Sequence, residues 1–145
     1  MSRAPLSTRR EARERALSLL YEAESKRVDP SAVLAELPVP PDPFVIDLVR
    51  GVETHGAEID NLVAAHAIGW SVDRMPVIDR ALLRMATFEL LARPDVPTGV
   101  VISEAVELAT QYSTEESGRF VNGMLATIAA IVRPRSLDGE TGPGC

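Results

Sequence analysis

Four arginines crowd the start of the chain, where residues 7–21 read STRREARERALSLLY. Arg9, Arg10, Arg13 and Arg15 fall within seven positions. At about 100° per residue of an α-helix, the first three lie within an arc of about 100°, and Arg15 lies on another face. Guanidinium groups on one face bind phosphates through paired N–H donors, and a helix N-terminus also favours an anion. The pattern therefore predicts a polyanion site.

The basic start stands out because the rest of the chain is acidic. The formal net charge is −6. Residues 1–27 hold seven Lys or Arg and four Asp or Glu, a net of +3, whereas the other 118 residues hold eight and seventeen, a net of −9. A basic segment on an acidic body is typical of a protein that binds a polyanion at one end only.

A solvated helical turn explains the same residues without a ligand. Arg10 could pair with Glu14, and Glu11 with Arg15; such four-residue spacings stabilise an exposed helix by about 0.3–0.5 kcal/mol. However, basic residues at a helix start oppose the macrodipole, at a cost of roughly 0.3–1 kcal/mol. The residues alone leave a nucleic-acid site and a solvated turn nearly balanced.

The sequence gives little support for catalytic or metal chemistry. His55 and His66 are eleven residues apart, and no cysteine or paired carboxylate accompanies them at metal-ligand spacing. The stretch FVNG at 120–123 lacks the repeated glycines and the lysine of a phosphate loop. Cys145 is the single cysteine, so the chain forms no internal disulfide. We expect neither an enzyme nor a cofactor or metal site.

Composition indicates one soluble helical domain. The chain has 145 residues, of which 46% are hydrophobic and only 4% aromatic. That length closes a single core, and a core of Leu, Val, Ile, Ala and Met suits packed helices better than a β-sandwich. No apolar run approaches the roughly 18 residues of a membrane span, and the start does not resemble a signal peptide. We therefore expect a cytoplasmic protein without membrane association.

Local signals predict the first helices. Thr8 and Glu11 fit a capping box that starts a helix running to about Lys26. Asp-Pro dipeptides at 29–30 and 42–43 predict two further starts. The first opens a short helix to about residue 37, and the second opens a long helical pattern that Gly56 kinks or splits. The apolar positions of the first helix share one buried face: Ala12, Ala16, Leu19, Leu20 and Ala23.

The second half of the chain predicts three more helices. Pro76 starts one that runs to about Ala92, and residues 98–112 are apolar almost all round, the pattern of a helix at the centre of a bundle. Ser113 and Glu116 fit a second capping box for a last helix to about residue 132. The result is a single-domain, all-α bundle of six to seven helices. Its predicted parts are a flexible arm at 1–6, the helical domain at 7–133 and a disordered tail at 134–145.

Three stretches together resemble the NusB family of bacterial transcription antitermination factors. They are STRREARERALSLLY at 7–21, VIDRALLRMATFELL at 77–91 and VPTGVVISEAVELATQYSTEESGRFVNGML at 96–125. The resemblance covers about residues 7–133, and the order of EAVELA and FVNG is its most specific part. It implies a non-enzymatic, all-helical protein built of two packed helical subdomains.

The resemblance also implies a function. NusB-type factors bind boxA, a short single-stranded RNA element in ribosomal and phage leader transcripts, together with the ribosomal protein NusE, and help RNA polymerase ignore terminators. Carried onto this chain, the RNA face comprises Arg9, Arg10, Arg13, Arg119 and Phe120. Single-stranded RNA is read by bases stacked on aromatic planes and by cations on phosphates, which these residues can supply. A core position is an equally good interpretation of Phe120.

The same resemblance assigns the NusE-binding surface to Tyr21, Asp79 and Arg84. A solvated helix face is the alternative for Asp79 and Arg84, and half-buried packing is the alternative for Tyr21. Some family members form homodimers that cover the RNA face, and the sequence leaves the oligomeric state open. Glu11 stands where the family often has a third basic residue, and it dilutes the positive charge.

Two rival functions remain at this point. In the first, the chain is a protein-interaction module that binds NusE without direct RNA contact. In the second, it is the RNA-targeting part of an enzyme, because NusB-like domains also occur fused to RNA methyltransferases. We expect the RNA-binding antitermination factor.

Overall fold

Seven α-helices and one short 3-10 turn make up the part of the chain that the structure describes. The computed structural model describes residues 8–67, 69 and 71–134, and this part contains no strand. The helices are α1 (Arg9–Lys26), α2 (Pro30–Ala35), α3 (Pro43–Thr54), α4 (Gly56–His66), α5 (Val77–Ala92), α6 (Thr98–Tyr112) and α7 (Glu115–Val132); the 3-10 turn is Val72–Arg74. The all-α class and the number of helices confirm the prediction.

Helix α5 lies at the centre of the fold. It packs against α1, α3, α4, α6 and α7. Helices α1, α2 and α3 pack on one another, and α7 packs on both α4 and α6. The prediction that residues 98–112 form the central helix is wrong, because α6 packs mainly on α5 and α7 and leaves Val100 exposed.

Capping explains where the first and last helices start. Thr8 Oγ1 accepts from the Glu11 amide at 3.0 Å, and the Glu11 carboxylate accepts from the Thr8 amide at 2.9 Å, which confirms the first capping box. The second box is wrong. Thr114 is the N-cap of α7 and accepts from the Ser117 amide at 2.9 Å. Ser113 is instead the C-cap of α6, because its amide donates to the Ala109 carbonyl in the last turn of that helix.

The Asp-Pro dipeptides and Gly56 act as predicted, with small differences in length. Pro30 and Pro43 each occupy the first position of a helix. The Asp42 side chain accepts from the Phe44 amide at 2.8 Å, so α3 has a true side-chain cap. Helix α2 ends at residue 35, two residues before the predicted end. The long pattern splits between α3 and α4, where Gly56 opens the second helix.

Gly51 lies where α3 meets α5 most closely. A Cβ atom added at Gly51 would overlap three ring atoms of Phe88, whereas one added at Gly56 would meet nothing within 4 Å. We expect Gly51→Ala to lower the free energy of unfolding by about 1–3 kcal/mol, because the overpacked ring must move. Gly56→Ala, the matched control, should raise it by at most about 1 kcal/mol. Urea unfolding followed by circular dichroism measures both, and a fully stable Gly51→Ala variant would contradict this packing.

Some of the predictions fall on parts of the chain that are not described. The predicted arm at 1–6, residues 135–145 of the predicted tail and Cys145 lie outside the described residues, so these stay predictions. Within the described ranges, no helix is both long enough and apolar enough to cross a membrane.

Candidate nucleic-acid interface

The start of α1 presents two exposed arginines, Arg9 and Arg10. The Arg9 guanidinium carbon lies 4.0 Å from the centroid of the Phe44 ring, within cation–π range. Phe44 is itself fixed by the cap at the start of α3. Arg9 is therefore held at the junction of α1 and α3 while its side chain still reaches solvent.

Arg13 lies inside the fold. Its side chain is 3% exposed, and its partner Glu89 is 1% exposed. Arg13 Nε donates to Glu89 Oε2 at 2.9 Å, and Nη2 donates to Oε1 at 2.7 Å, a two-bond fork between α1 and α5. The predicted three-arginine patch therefore has only Arg9 and Arg10 as exposed members. The RNA contact assigned to Arg13 stays a prediction.

Arg10 forms ion pairs with Glu104 and Glu107 on α6, and not with Glu14, the partner that the spacing predicts. Its Nε and Nη2 donate to the two oxygens of Glu104 at 3.0 and 2.8 Å, and Nη2 lies 2.6 Å from Glu107 Oε1. The hydrogen bond from Arg10 lowers the pKa of the Glu104 carboxyl below its ordinary value. Glu14 instead accepts from the Tyr112 hydroxyl at 3.0 Å. Arg15 is exposed and forms no ion pair within the described residues.

The Arg13 guanidinium carbon lies 5.3 Å from the centroid of the Phe44 ring, and a third guanidinium, that of Arg93, completes the surroundings of Phe44. Its carbon lies 5.0 Å from the ring centroid. Arg93 forms ion pairs with Asp47 at 2.6 Å and Asp95 at 2.9 Å. The hydrogen bond from Arg93 lowers the pKa of the Asp95 carboxyl to about 2. The arginines around Phe44 are thus partly balanced by carboxylates on neighbouring segments.

The second part of the predicted RNA face lies on α7. Arg119 is exposed and Phe120 is half-buried. Phe120 packs against the core and also borders a cavity of about 310 Å³. The core interpretation of Phe120 therefore holds for part of its ring, and its RNA contact stays a prediction. The cavity is lined by Met75, Pro76, Asp79, Ser113, Thr114, Glu116, Ser117 and Phe120.

Asp79 borders that same cavity but is buried. Its Oδ2 accepts from the Ser117 hydroxyl at 2.9 Å, and its Oδ1 has no hydrogen-bond partner within the described structure. The alternative of a solvated face is therefore wrong for Asp79. A buried oxygen without a partner is unfavourable, by about 1–3 kcal/mol, unless another group satisfies it. The structure brings Asp79 and Phe120, which the resemblance assigns to different sites, to one cavity.

Tyr21 borders a separate groove between α1, α5 and α6. Its side chain is 47% exposed, and that of Tyr112 is 49% exposed. The hydrogen bond to Glu14 raises the pKa of the Tyr112 hydroxyl. Exposed tyrosines around a groove are typical of protein interfaces. The groove has a volume of about 320 Å³ and is lined by Glu14, Leu17, Ser18, Tyr21, Ile78 and Tyr112.

Arg84 lies apart from the other two residues predicted to bind NusE. It is five positions beyond Asp79 on α5, a rotation of about 140°. Arg84 forms a two-bond fork with Asp60 on α4, at 2.9 and 3.0 Å. Its Nη1 also lies 3.7 Å from Glu24 on α1. Tyr21 lines the groove, Asp79 lines the 310 Å³ cavity, and Arg84 faces the junction of α1 and α4, so the three residues do not form one surface patch.

Comparison with known proteins decides the family. The sequence model of the NusB family matches residues 10–130. The chain belongs to the NusB family. The transcription antitermination protein NusB of Kineococcus radiotolerans is 45% identical over 130 residues, covering 87% of this chain and 96% of that protein. The NusB protein of Acidothermus cellulolyticus is 45% identical over 131 residues, covering 86% and 89%.

Solved NusB structures share the fold. The structure of T. maritima NusB superposes with a TM-score of 0.81 at 36% identity, covering 91% of this chain and 97% of that one. A complex of the antitermination factors NusB and NusE with dsRNA superposes with a TM-score of 0.72 at 28% identity, covering 85% and 96%. The NusB-like fold is thereby confirmed, and the family is one of antitermination factors, not enzymes.

The acidic partners of Arg10 and Arg13 were not predicted from the sequence. Glu89 lies 76 positions beyond Arg13, and Glu104 lies 94 positions beyond Arg10. Glu104 and Glu107 belong to the motif EAVELA, which indicates the family but does not indicate that its glutamates pair with Arg10. No spacing rule joins residues so far apart, so only the folded chain reveals these pairs.

The histidines serve local packing in the part of the chain that the structure describes. His66 Nδ1 lies 2.8 Å from the Leu62 carbonyl, one turn earlier on α4. The His55 ring lies against Phe88, with centroids 5.6 Å apart. Among the described residues, no three His, Cys, Asp or Glu side chains are grouped as a metal site.

Proposed function

We propose that this NusB-family protein binds boxA-type single-stranded RNA in ribosomal RNA leader transcripts, together with NusE, and so modifies elongation in the RNA polymerase antitermination complex. The observation that carries the proposal is the exposure of Arg9 and Arg10 at the start of α1, on a chain that is otherwise acidic. Family membership and a relative solved with NusE and RNA support it. This role implies a cytoplasmic location.

The proposed RNA contacts divide by chemistry. Arg9, Arg10 and Arg119 are exposed cations that bind phosphates. Phe120 offers part of its ring to an unstacked base at the edge of the 310 Å³ cavity. Arg13, which is buried against Glu89, contributes by fixing the position of α1.

The proposed NusE surface is centred on the groove beside Tyr21. Tyr21 and Tyr112 supply exposed aromatic area, and aromatic side chains dominate the energetics of many interfaces. Asp79 follows Ile78, which lines this groove, but Asp79 itself borders the separate 310 Å³ cavity, where one of its carboxylate oxygens has no partner in the described structure. Arg84 would form a second, separate contact. A homodimer that covers the RNA face is part of the proposal, and the mass of the protein in solution tests it.

A second candidate function is favoured by one observation. Arg10 and Arg13 both have carboxylate partners within the chain, so neither needs RNA to balance its charge. In this alternative the protein binds NusE through the tyrosine groove and makes no direct RNA contact.

A salt titration separates the two candidates. If Arg9, Arg10 and Arg119 each contact a phosphate, the log–log slope of affinity against salt should be about −2, at about −0.7 per contact for single strands. Arg10→Ala should weaken binding of a boxA-type oligonucleotide and make the slope shallower by up to about 0.7. Fluorescence anisotropy, with and without NusE, measures both quantities.

Arg50 provides the matched control for this titration. It is exposed on α3 and has no ion pair within the described residues, so Arg50→Ala should change neither slope nor affinity. If NusE binds but RNA affinity is the same in Arg10→Ala and the parent, the protein-interaction module is the better description.

A further inference from the structure

Two carboxylates on α6 hold an arginine that the proposed function gives to RNA. We propose that Glu104 and Glu107 are specificity-determining residues that compete with RNA phosphate for the Arg10 guanidinium. The inference rests on the proposed function, because it requires Arg10 to contact RNA. It concerns how strongly and how selectively the site binds.

The carboxylate oxygens of Glu104 and Glu107 lie against Arg10 where the oxygens of a bound phosphate would lie. A guanidinium has five N–H donors, and Arg10 directs three of them, on Nε and Nη2, to oxygens of Glu104 and Glu107. A carboxylate and a phosphate both match the guanidinium fork with two oxygens. A phosphate that takes the fork must therefore displace Glu104.

The charges of the two glutamates hold Arg10 in place and also repel an approaching phosphate. Arg10 contributes one positive charge, and the two glutamates contribute two negative charges, so the cluster as a whole is negative. A phosphate that approaches the free side of Arg10 is repelled by the extra carboxylate. Because the Arg10 pKa is raised and the Glu104 pKa is lowered, mainly by their mutual hydrogen bond, both groups stay charged at neutral pH.

Exposure indicates how the exchange can proceed. The side chain of Glu107 is 59% exposed, and that of Arg10 is 44% exposed, whereas that of Glu104 is only 19% exposed. Exposed ion pairs are weak because water screens them, so the pairs yield to a better ligand. A strand that also engages Arg9 and Arg119 can supply that advantage, and an isolated anion cannot. The glutamates therefore favour extended RNA over small anions.

The decisive variant is Glu107→Gln, which removes one charge but leaves the Glu104 fork in place. We expect it to bind a boxA-type RNA oligonucleotide about three- to tenfold more tightly at low salt. The reason is that the variant removes the repulsion between the Glu107 carboxylate and an RNA phosphate at Arg10, which solvent screens only in part. The gain should shrink as salt rises, because the Debye length falls to about 8 Å at physiological ionic strength. Glu104→Gln should also tighten binding.

Glu22→Gln is the matched control. Glu22 pairs with Lys26 at 2.7 Å on the same helix as Arg10. It lies twelve residues from Arg10, about 18 Å along the axis, which exceeds the Debye length of about 10 Å at 0.1 M ionic strength, so the variants are compared at that salt concentration. Removing this charge should leave RNA affinity unchanged. Circular dichroism confirms that each variant is folded before its affinity is compared.

A double-mutant cycle tests whether the effect passes through Arg10. In an Arg10→Gln background, Glu107→Gln should give little or no gain, because the guanidinium that it frees is absent. An equal gain in both backgrounds would show general repulsion and overturn the inference. Glu107→Gln and Glu104→Gln variants that bind no better than the parent would also overturn it. The RNA contact of Arg10 is tested separately, by the affinity and salt slope of Arg10→Ala. If the parent and all variants fail to bind RNA, with NusE present or absent, the proposed function falls too.

Discussion

Arg13→Met should lower the free energy of unfolding by about 3–5 kcal/mol, the cost of leaving one member of a buried ion pair without its partner. Glu89 is 1% exposed and receives both hydrogen bonds of the Arg13 fork. Methionine fills much of the space but donates nothing, so the Glu89 carboxylate remains buried and unpaired. Urea unfolding followed by circular dichroism measures the loss.

Two companion variants show whether the ion pair is the cause. Arg13→Met combined with Glu89→Leu removes both charges, and buried ion pairs replaced by apolar residues are often as stable as the parent. The double variant should therefore recover most of the loss. Arg10→Met, which breaks an exposed pair on the same helix, should change stability little. A double variant no more stable than Arg13→Met would mean that packing, not charge, sets the effect.

The same double variant also tests the RNA role of Arg13. The resemblance to the family assigns Arg13 to the RNA face, whereas its side chain is 3% exposed and points to α5. If Arg13 only positions α1, the folded double variant should bind RNA like the parent. A folded double variant with clearly weaker RNA binding would support direct contact, which requires the Glu89 fork to open.

Helix boundaries were predictable because their signals are local. The Thr8 capping box, the two Asp-Pro dipeptides and the glycine at 56 each act within about four residues. The structure confirms a helix start at each of them, although Asp29, unlike Thr8 and Asp42, forms no side-chain cap bond. The Ser113 box failed by one residue, since Thr114 offers the same chemistry one position later. Competing hydroxyls in adjacent positions cannot be ranked without the geometry of the preceding helix.

Which helix is central was not predictable from hydrophobicity. Helix α6 reads as apolar almost all round, yet it lies at the side of the bundle. Helix α5 carries the charged residues Asp79, Arg80 and Glu89, which are types that usually lie at the surface, yet it buries all three. Each buries its charge against a partner or a nearby hydroxyl on another segment, and such partners are set by tertiary packing.

The burial of Arg13 had a signal in the sequence. Arg13 precedes Ala16 and Leu17 by three and four positions, so it extends the buried stripe of α1. The positive charge of Arg13 favours exposure. The spacing favours burial, but only the presence of Glu89 across the core makes burial of a guanidinium acceptable.

Arg133 has the second large effect that we expect. It lies directly after α7, at the edge of the predicted tail, and uses all five N–H donors. Nε donates to the Leu90 carbonyl at 2.9 Å, and Nη2 donates to the Glu89 and Arg93 carbonyls at 3.0 and 2.7 Å. Nη1 donates to the Val96 carbonyl at 2.7 Å and to Thr98 Oγ1 at 3.0 Å. One side chain therefore joins the end of α7 to the end of α5 and the start of α6.

We expect Arg133→Met to lower the free energy of unfolding by about 2–4 kcal/mol, because several partly buried carbonyls lose a charged donor and the C-terminus of α5 loses a favourable cation. Arg133→Lys should recover only part of this, since an ammonium keeps the charge but cannot reach five acceptors in a planar fork.

Arg50→Met removes an exposed arginine that has no ion pair within the described residues, and it should be close to neutral. If Arg133→Lys were as stable as the parent, the charge at the end of α5 would account for the effect. If Arg133→Met were as stable as Arg50→Met, the five bonds would not stabilise the fold. Because the Glu89 carbonyl is one of the acceptors and the Glu89 carboxylate holds Arg13, loosening this end of α5 should also loosen the start of α1, where Arg9 and Arg10 lie.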